Sequence, residues 1–442
     1  MQVIADLQLH SKYSRAVSPE MMLPQIAAWT RRKGMGLVAT GDWTHPLWFR
    51  EILGNLEELG NGLLKLKNAS DGDPLFLLAT EVSCIYSQNG KGRRIHTLVW
   101  VPSLASAEKI NKEMTKQGCN LMSDGRPIIG LTSIQVAELV LTIEPKALII
   151  PAHAWTPWFS VFGSMSGFNS LEEAFGPYAK HIYAVETGLS SNPAMNWRIK
   201  ELDNRSIVSF SDAHSGPKLG REATVFELPE LSYENIYKAI KGDRVQGTGN
   251  SKISYTIEFY PEEGKYHWSG HRACGVRRGP KDTEKNGTTC PVCGKPLTQG
   301  VEQRVSELAG RSEEDLKLER EGMFTKSKSF PNRPPFVMLV PLQEIISECI
   351  GSPVASPKVQ TPYRQLTDAL GGEFNILLKS THDDIAKIAG ERVAAGIEKV
   401  RRGDLVIDPG YDGIFGVVKL WREGEDKPLV DPSREQMSIF NG

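Results

Sequence analysis

Residues 5–14 read ADLQLHSKYS, a short apolar run that ends in a polar turn carrying His10. Similar runs recur along the first half of the chain, separated by segments with helical periodicity. The strands predicted from these runs are residues 3–9, 36–40, 75–83, 95–101, 147–152, 183–187 and 207–211. One intervening helix is predicted at 19–33, with Ser18 as its N-cap, Pro19 at its first position and Gly34 as its end. This alternation predicts an α/β fold, either a barrel or a doubly wound sheet.

Metal-ligating residue types accompany these strands. At or just beyond the carboxyl ends of predicted strands lie His10, His45, Glu81, His96, His153, Glu186, Asp212 and His214. In a β/α barrel these strand ends converge on one face, where catalytic residues collect. Imidazoles and carboxylates are ligands for Zn²⁺, Mn²⁺ and Mg²⁺. The pattern therefore predicts a site for more than one metal ion on that face.

Five motifs resemble those of the PHP (polymerase and histidinol phosphatase) metallophosphoesterase superfamily: ADLQLHSKYS, ATGDWTHP, LATEVS, IPAHAWTPW and SFSDAHSGPKLGREAT. The resemblance implies a distorted (β/α)7 barrel over residues 1–255, with up to three metals at the strand ends. The metal ligands that it implies are His10, His45, Glu81, His96, His153, Asp212 and His214, with Asp42 beside the second motif. Among these, it implies catalytic roles for His10, Glu81, Asp212 and His214.

Two positions depart from the superfamily pattern. Gln8 stands where the first motif, usually Asp-x-His-x-His, has its first histidine, and Arg15 lies where many relatives carry another acidic ligand. A glutamine carbonyl can coordinate a hard cation but substitutes poorly for imidazole on zinc. We keep Gln8 as a candidate ligand and expect fewer or more loosely held metals than the full trinuclear pattern.

Such a centre suits hydrolysis of a phosphoester, because bound metals lower the pKa of water to about 7 and clamp the phosphate oxygens. Zn²⁺ is the expected active-site metal, with Mg²⁺ or Mn²⁺ as alternatives. Lys12, Arg15 and Lys218 are predicted to neutralise non-bridging phosphate oxygens; the alternative is that they are ordinary surface charges.

Residues 256–300 are predicted to form a small zinc-binding module. His271-x-x-Cys274 and Cys290-x-x-Cys293 are two ligand pairs, and together they predict one closed, tetrahedral structural zinc site. The fourth ligand is either His271 or His267. Arg272, Arg277 and Arg278 form a local basic patch that we expect to contact a nucleic-acid backbone, although such runs are often only solvated.

The rest of the chain is predicted to comprise a mostly helical region, residues 301–424, and a flexible tail, residues 425–442. Helical patterns cover 301–320 and 384–402, and residues 325–335 read as a linker. In the tail, Gln436, Ile439 and Phe440 fit a pentapeptide of the kind that binds the DNA sliding clamp.

The order of these parts resembles the endonuclease Q family. The resemblance implies a metal-dependent enzyme that nicks double-stranded DNA on the 5′ side of uracil, hypoxanthine, xanthine or an abasic site. A deaminated base is then expected to flip out of the duplex, and Trp43, Trp155, Trp158 and Phe159 are candidates to stack on it. The alternatives are a PHP phosphatase for a small phosphate ester and a lesion-binding protein whose metal site has decayed.

Composition sets broad limits on these interpretations. The 442 residues include 52 Lys+Arg and 53 Asp+Glu, so only local patches can attract a polyanion. Six cysteines are too few for a disulfide scaffold, which favours metal binding in a reducing compartment. No signal-peptide pattern or membrane-spanning run is evident, so a cytoplasmic protein is expected. A nucleotide-binding motif of the form G-x-x-x-x-G-K-[ST] is absent, which disfavours an ATP-driven motor.

Overall fold

The computed structural model describes residues 1–242, 251–422 and 424. Up to residue 227 its strands are β1 (Gln2–Asp6), β2 (Leu37–Ala39), β3 (Leu56–Glu58), β4 (Leu64–Leu66), β5 (Leu75–Gln88), β6 (Lys91–Val101), β7 (Ile128–Ile129), β8 (Leu148–Pro151), β9 (Ala184–Glu186), β10 (Ser206–Val208) and β11 (Ala223–Glu227). The seven predicted strands correspond to β1, β2, β5, β6, β8, β9 and β10.

These seven strands surround a buried apolar interior. β1, β2 and β5 are parallel, β6 pairs antiparallel with both β5 and β8, and β9 is parallel to β10. Backbone hydrogen bonds complete the ring. The Ala154 N–H donates to the Glu186 carbonyl between β8 and β9, and the His10 N–H donates to the Ala213 carbonyl beyond β1 and β10, both over 3.0 Å. The predicted distorted β/α barrel is confirmed.

The remaining strands are β12 (Lys252–Glu258), β13 (Ser269–His271), β14 (Val276–Arg278), β15 (Leu318–Glu321), β16 (Phe324–Ser327), β17 (Phe336–Met338), β18 (Val406–Asp408) and β19 (Val417–Lys419). β11 joins β1 to β12, and β17, β16 and β15 follow β12 in the same sheet. The predicted helix at 301–320 is therefore wrong beyond Leu308, and the start of the predicted linker at 325–335 is a strand. The predicted boundary at residue 255 falls inside β12, and the division into domains stays a prediction.

The helices are α1 (Leu23–Lys33), α2 (Pro46–Asn55), α3 (Leu104–Lys116), α4 (Ser133–Ile143), α5 (Leu171–Phe175), α6 (Pro193–Trp197), α7 (Tyr233–Lys241), α8 (Pro280–Asn286), α9 (Val301–Leu308), α10 (Leu342–Ile350), α11 (Pro357–Ala369), α12 (Glu373–Leu378), α13 (His382–Ala389) and α14 (Glu391–Arg402). The helical character of the C-terminal region is thus confirmed.

Two predicted helix boundaries are wrong. α1 begins at Leu23 rather than Pro19, because the Met21 N–H bonds to the Ser18 carbonyl in a separate turn; its end at Gly34 is as predicted. The helix predicted at 384–402 is two helices, because Gly390 has a φ of 88° and cannot continue α13 into α14.

One cluster of buried apolar side chains runs from Val3 in the barrel to Leu420 beyond the C-terminal helices. Within the described residues, none of the helices is both long and apolar enough to cross a membrane. The predicted clamp-binding residues Gln436, Ile439 and Phe440 lie outside the described residues.

Candidate metal centre

The first ligand group lies where β1 and β10 end. The His10 Nε2 is 3.1 Å from Asp212 Oδ1, and the ligand atoms of His10, Asp212 and His214 all lie within 4.8 Å of one another. Asp212 has a φ of 47°, a left-handed conformation that turns the chain sharply after the strand. The His214 Nδ1 then lies 2.8 Å from the Asp212 carbonyl oxygen, which fixes the ring.

The second ligand group consists of Glu81 in β5, His96 in β6 and His153 after β8. The His96 Nδ1 is 2.5 Å from Glu81 Oε1, and the His153 Nε2 is 3.4 Å from the same oxygen. His96 lies at the middle of its strand, not at the carboxyl end as predicted. It reaches the site because β6 runs antiparallel to β5.

Glu81 connects the two groups. Its Oε2 is 3.2 Å from His10 Nε2 and accepts a hydrogen bond of 2.8 Å from the Gln8 amide nitrogen. The Gln8 carbonyl oxygen is buried and has no hydrogen-bond partner within the described part of the chain. Gln8, which is a predicted ligand, therefore lies beside the centre. Its side-chain carbonyl oxygen is free to accept a hydrogen bond or a metal ion.

Glu186 orients a ligand instead of belonging to either group. Its Oε2 accepts a 2.7 Å hydrogen bond from the His153 N–H. Burial raises the pKa of Glu186 well above its usual value, and the nearby carboxylates Asp212 and Glu81 raise it further. The Glu186 carboxyl group thereby anchors the backbone of His153, which has a left-handed φ of 31°.

Asp42 and His45 also lie outside the two groups, although both were predicted as ligands. The Asp42 Oδ1 contacts His10 Nδ1 at 2.9 Å, so this carboxylate orients His10 and leaves its Nε2 facing the centre. The His45 Nδ1 accepts from the Trp48 N–H at the start of α2, and its ring stacks on Tyr13 at 4.5 Å.

The charges of the centre depend on one another. Burial alone would lower the pKa of His10 and raise that of Asp212. Asp42, Asp212 and Glu81 instead raise the pKa of His10 well above its usual value, and contact with His10 lowers the pKa of Asp212 to about 2. Burial also opposes ionisation of Glu81, yet Arg126 and His96 hold the pKa of this carboxyl well below its usual range.

The donor set fits divalent metals. Each group combines imidazole nitrogens with a carboxylate, which is a set that Zn²⁺, Mn²⁺ and related ions accept. Burial lowers the pKa of His96 to about 4, so this ring is neutral and able to ligate at neutral pH. His10, Asp212 and His214 would hold one ion, and Glu81, His96 and His153 a second.

Arg126 is a residue of the centre that the sequence patterns missed. Its Nη1 is 3.3 Å from Glu81 Oε1 and 3.5 Å from His10 Nε2. The surrounding sequence, SDGRPI, has no metal-ligand or catalytic spacing, and Arg126 is far from the quoted motifs. Only the folded arrangement brings it to the ligands.

The cysteine module forms a separate group. The ligand atoms of His271, Cys274, Cys290 and Cys293 lie within 4.8 Å of one another, while His267 is not in this group. Burial raises the pKa of Cys274 to about 11, as do hydrogen bonds with the other two thiols. At Cys290 the effect of burial is outweighed by backbone N–H donors, which lower its pKa to about 6. Such thiols ionise together only around a cation, as in a structural metal site.

Comparison with known proteins identifies the family. Residues 341–404 match a family model described as the MJ0043 C-terminal domain. YqxK of Bacillus subtilis (strain 168) is 30% identical over 401 residues, covering 88% of this chain and 90% of the relative. The crystal structure of the lesion-specific endonuclease PfuEndoQ from Pyrococcus furiosus is 32% identical, with a TM-score of 0.80 and coverage of 100% of both chains. A complex of endonuclease Q with a 27-mer duplex substrate, with an abasic lesion at the active site, has the same identity and TM-score and covers 98% of this chain and 100% of that one.

The chain belongs to the endonuclease Q family. The predicted resemblance to this branch of the PHP superfamily is confirmed, and with it the predicted enzyme class, a metal-dependent endonuclease. A metal cofactor is likewise supported by the two ligand groups, whereas the identity of each metal stays a prediction.

The basic residues predicted to contact DNA in this endonuclease Q family member differ in their exposure and in their hydrogen-bond and ion-pair partners. Arg15 is 84% exposed and lies 3.8 Å from Asp124, whereas Lys12 pairs with Glu51 at 3.0 Å and Lys218 with Glu344 at 2.7 Å. In the cysteine module Arg277 pairs with Asp408, the Arg272 N–H donates to Asp412, and the Arg278 guanidinium binds carbonyls of its own module at Asn286, Gly287 and Thr289. Arg278 thus has a structural task, and contact of these residues with DNA stays a prediction.

A cavity of about 340 Å³ opens beside the centre. Three ligand residues, His96, His153 and Asp212, contribute to its wall. Of the four predicted stacking residues, Trp158 and Phe159 line this cavity, while Trp43 and Trp155 are fully buried in the core. Tyr266 also lines the cavity and faces Trp158 edge-on at 5.4 Å.

Proposed function

We propose that this protein nicks double-stranded DNA on the 5′ side of a deaminated base (uracil, hypoxanthine or xanthine) or an abasic site, as a step of DNA repair. The observation that carries this proposal is the cavity shared by ligand residues and aromatic rings, in which Trp158, Phe159 and Tyr266 adjoin His96 and Asp212. Aromatic rings bind the faces of any base, and a flipped nucleotide in this cavity places its own backbone phosphate beside the ligands.

The two ligand groups hold the catalytic metals in this proposal. Divalent ions there supply the Lewis acidity that phosphodiester hydrolysis needs. The protein residues fix the arrangement: Asp42 sets the His10 ring, Glu186 holds the His153 backbone, and Glu81 connects both groups. We propose zinc for the cysteine module and Zn²⁺, Mg²⁺ or Mn²⁺ for the centre, from donor chemistry.

The first test is an assay with end-labelled duplexes that carry uracil, hypoxanthine, xanthine, an abasic site or no lesion. Each is incubated with Mg²⁺, Mn²⁺ or Zn²⁺, and any cut is mapped. We expect one cut 5′ of the lesion, its loss in His214→Ala, and its retention in His382→Ala, which removes a histidine from the remote helix α13. Tight lesion binding without cutting under any metal would indicate a lesion-binding protein without nuclease activity. Hydrolysis of small phosphate esters alone would indicate a phosphatase.

Trp158 provides a test of the cavity itself. If its ring stacks on the extruded base, Trp158→Ala loses about 1–3 kcal/mol of lesion binding. The loss should appear with uracil and hypoxanthine and be smaller with an abasic site, which has no base to stack. An equal loss on all lesions would assign Trp158 to the cavity wall alone.

We propose further that residues 436–440, QMSIF, bind the DNA sliding clamp through Gln436, Ile439 and Phe440. The support is the sequence pattern, a polar anchor followed by two apolar ones. Removal of residues 425–442 should abolish co-migration with the purified clamp while leaving nicking of a short duplex unchanged. Retained co-migration would place any clamp contact elsewhere.

A further inference from the structure

Arg126 is held over the metal centre by a loop fastened on both sides. The Gly125 N–H donates to the Tyr13 carbonyl and the Ser83 N–H donates to the Pro127 carbonyl, both over 3.0 Å. A β-carbon at position 125 would lie 2.3 Å from Asp42 Oδ2, so only glycine allows the loop to pass this close to the buried carboxylate. The position of Arg126 is therefore built into the fold.

The guanidinium lies against one atom from each ligand group. Its Nη1 contacts Glu81 Oε1 of the second group and lies near His10 Nε2 of the first. The side chain is 25% exposed, and its Nε and Nη2 have no hydrogen-bond partner among the residues that the structure describes. Two donor atoms of the guanidinium thus remain available to a ligand.

The charges explain why a cation is placed there. Asp42 and Glu81 are buried carboxylates and Asp212 is a half-buried one, while Gln8, where the superfamily motif has a histidine, offers Glu81 only a neutral amide. Gln8 and His10 contact one oxygen of the Glu81 carboxylate, and Arg126 contacts the other together with two histidines. Arg126 is the partner whose positive charge does not depend on pH. A buried carboxylate requires compensation by a nearby positive charge.

We propose that Arg126 is a permanent cation of this centre, which takes the place of a third metal ion and donates to a non-bridging oxygen of the scissile phosphate. The contact with the scissile phosphate rests on the proposed nuclease function. A guanidinium has a planar fork of donors that matches a phosphate, and it keeps its charge at any physiological pH. The weak ligand at position 8 is consistent with this role of Arg126, because it suits a centre with one metal fewer.

The number of metal ions bound per chain tests whether Arg126 takes the place of a third metal ion. This measurement does not depend on activity. Four proteins are compared: the wild type, Gln8→His, Arg126→Ala and the double variant. Each is saturated with Mn²⁺ and desalted to remove weakly bound ions, and the number of metal ions per chain is measured by mass spectrometry. We expect Gln8→His to match wild type, because the guanidinium still fills the space, and the double variant to gain one metal. A gain in Gln8→His alone, or no gain in the double variant, would overturn the proposal.

Arg402→Ala, which removes an exposed arginine from the end of α14, is the matched control and should match wild type. Thermal unfolding of every variant identifies loss of structure. If Arg126→Ala does not fold, Arg126→Gln, which preserves most of the side-chain length, replaces it in both single and double variants.

Chemical rescue tests the contact with phosphate. Removing one such donor costs on the order of 10²–10³-fold in kcat, so Arg126→Ala should lose that much nicking and recover part of it with added guanidinium ion. His214→Ala should not be rescued. Full activity of Arg126→Ala, or a loss that guanidinium leaves unchanged, would reject the phosphate contact. Failure of wild type to nick any duplex would instead reject the nuclease function and leave the metal count as a valid test of Arg126.

Discussion

Glu81 illustrates how much of the centre depends on single atoms. Its Oε1 faces His96, His153 and Arg126, and its Oε2 faces Gln8 and His10. Glu81→Gln preserves the shape but removes the charge, so both ligand groups should bind metal more weakly. We expect nicking to fall by at least about 10³-fold and metal per chain to drop. Glu108→Gln, on the exposed face of α3, should change neither quantity.

Asp6 positions the first ligand group without touching it. Its Oδ1 accepts from the Ser211 N–H at 3.0 Å and its Oδ2 from the Gly220 N–H at 2.9 Å, on either side of Asp212 and His214. Asp6→Asn replaces one of these two acceptor oxygens with an N–H₂ group that faces a donor, so it should destabilise the protein by about 1–3 kcal/mol, measured by urea unfolding. It should also weaken metal binding; unchanged stability and affinity would show that the carboxylate has no positioning role.

At this scale the sequence indicates candidate ligands better than the residues that support them. His10, His153, Asp212 and His214 lie at or near strand ends and are of metal-ligating residue types, so the sequence indicates them as candidates, whereas residue type alone indicates His96. Asp42 and His45 share those types and positions, yet a hydrogen bond to His10 and a ring stack on Tyr13 decide their roles. Arg126 could not be predicted, because its place depends on how a distant loop folds back.

The positions of strands and helices could be predicted where the periodicity was clear. The direction of a strand within the sheet could not. The seven barrel strands follow from apolar runs, but nothing in the run that forms β6 shows that it is antiparallel. β15 and β16 contain residues such as Glu319, Glu321 and Lys326, and their pairing at the edge of the sheet overrides a local pattern that suggests helix and linker. Gly390 ends α13 through a backbone conformation that side-chain periodicity does not reveal.

Strands β11 and β12 bring two buried carboxyl groups together. Glu222 and Glu258 flank the paired residues Ala223 and Ile257, and burial raises the pKa of both, that of Glu258 to about 7. The folded state therefore keeps a proton that the unfolded chain releases near pH 4.5. This contribution to stability is full at low pH and is lost as the pH rises from about 4.5 to about 7.

Glu258→Gln should remove much of this pH dependence. The amide carbonyl of the substituted side chain can still accept from the Ser209 hydroxyl, which donates to Glu258 at 3.1 Å in the wild type. Urea unfolding at pH 5, 6, 7 and 8 should show the wild type losing on the order of 1–3 kcal/mol more than the variant across this range. Parallel curves for the two proteins would show that the carboxyl pair does not hold the proton.

We expect the cysteine module to depend on a bound metal for folding. Cys290 and Leu297 are buried, yet neither belongs to the apolar cluster that unites the rest of the protein. Cys290→Ser should lose one metal per chain and expose residues 271–293 to protease, because no residue of this segment belongs to the shared apolar cluster and a bound metal would hold it together. Cys119→Ser, outside all ligand groups, is the matched control; protection equal to wild type in Cys290→Ser would argue against a structural metal.

Across the whole molecule, the barrel and the C-terminal helices are joined by a buried ion pair as well as by apolar packing. Lys33, the last residue of α1, contacts Glu373, the first residue of α12, at 2.7 Å, and both side chains are buried. Glu373 also accepts hydrogen bonds from the Tyr363 hydroxyl at 2.8 Å and the Leu342 N–H at 3.0 Å. This one carboxylate thus connects the barrel with α10, α11 and α12.

Removing only the lysine should therefore be more harmful than removing both charges. Lys33→Met leaves Glu373 buried without its cation and should destabilise the protein by about 3–5 kcal/mol. Adding Glu373→Gln to Lys33→Met should recover part of that loss, because the amide oxygen still accepts from Tyr363 and no charge is buried. Urea unfolding of the wild type, both single variants and the double variant gives the coupling energy directly. Strictly additive losses would show that apolar packing alone joins the barrel to the helices, whereas a strong coupling would identify this pair as the contact that unites them.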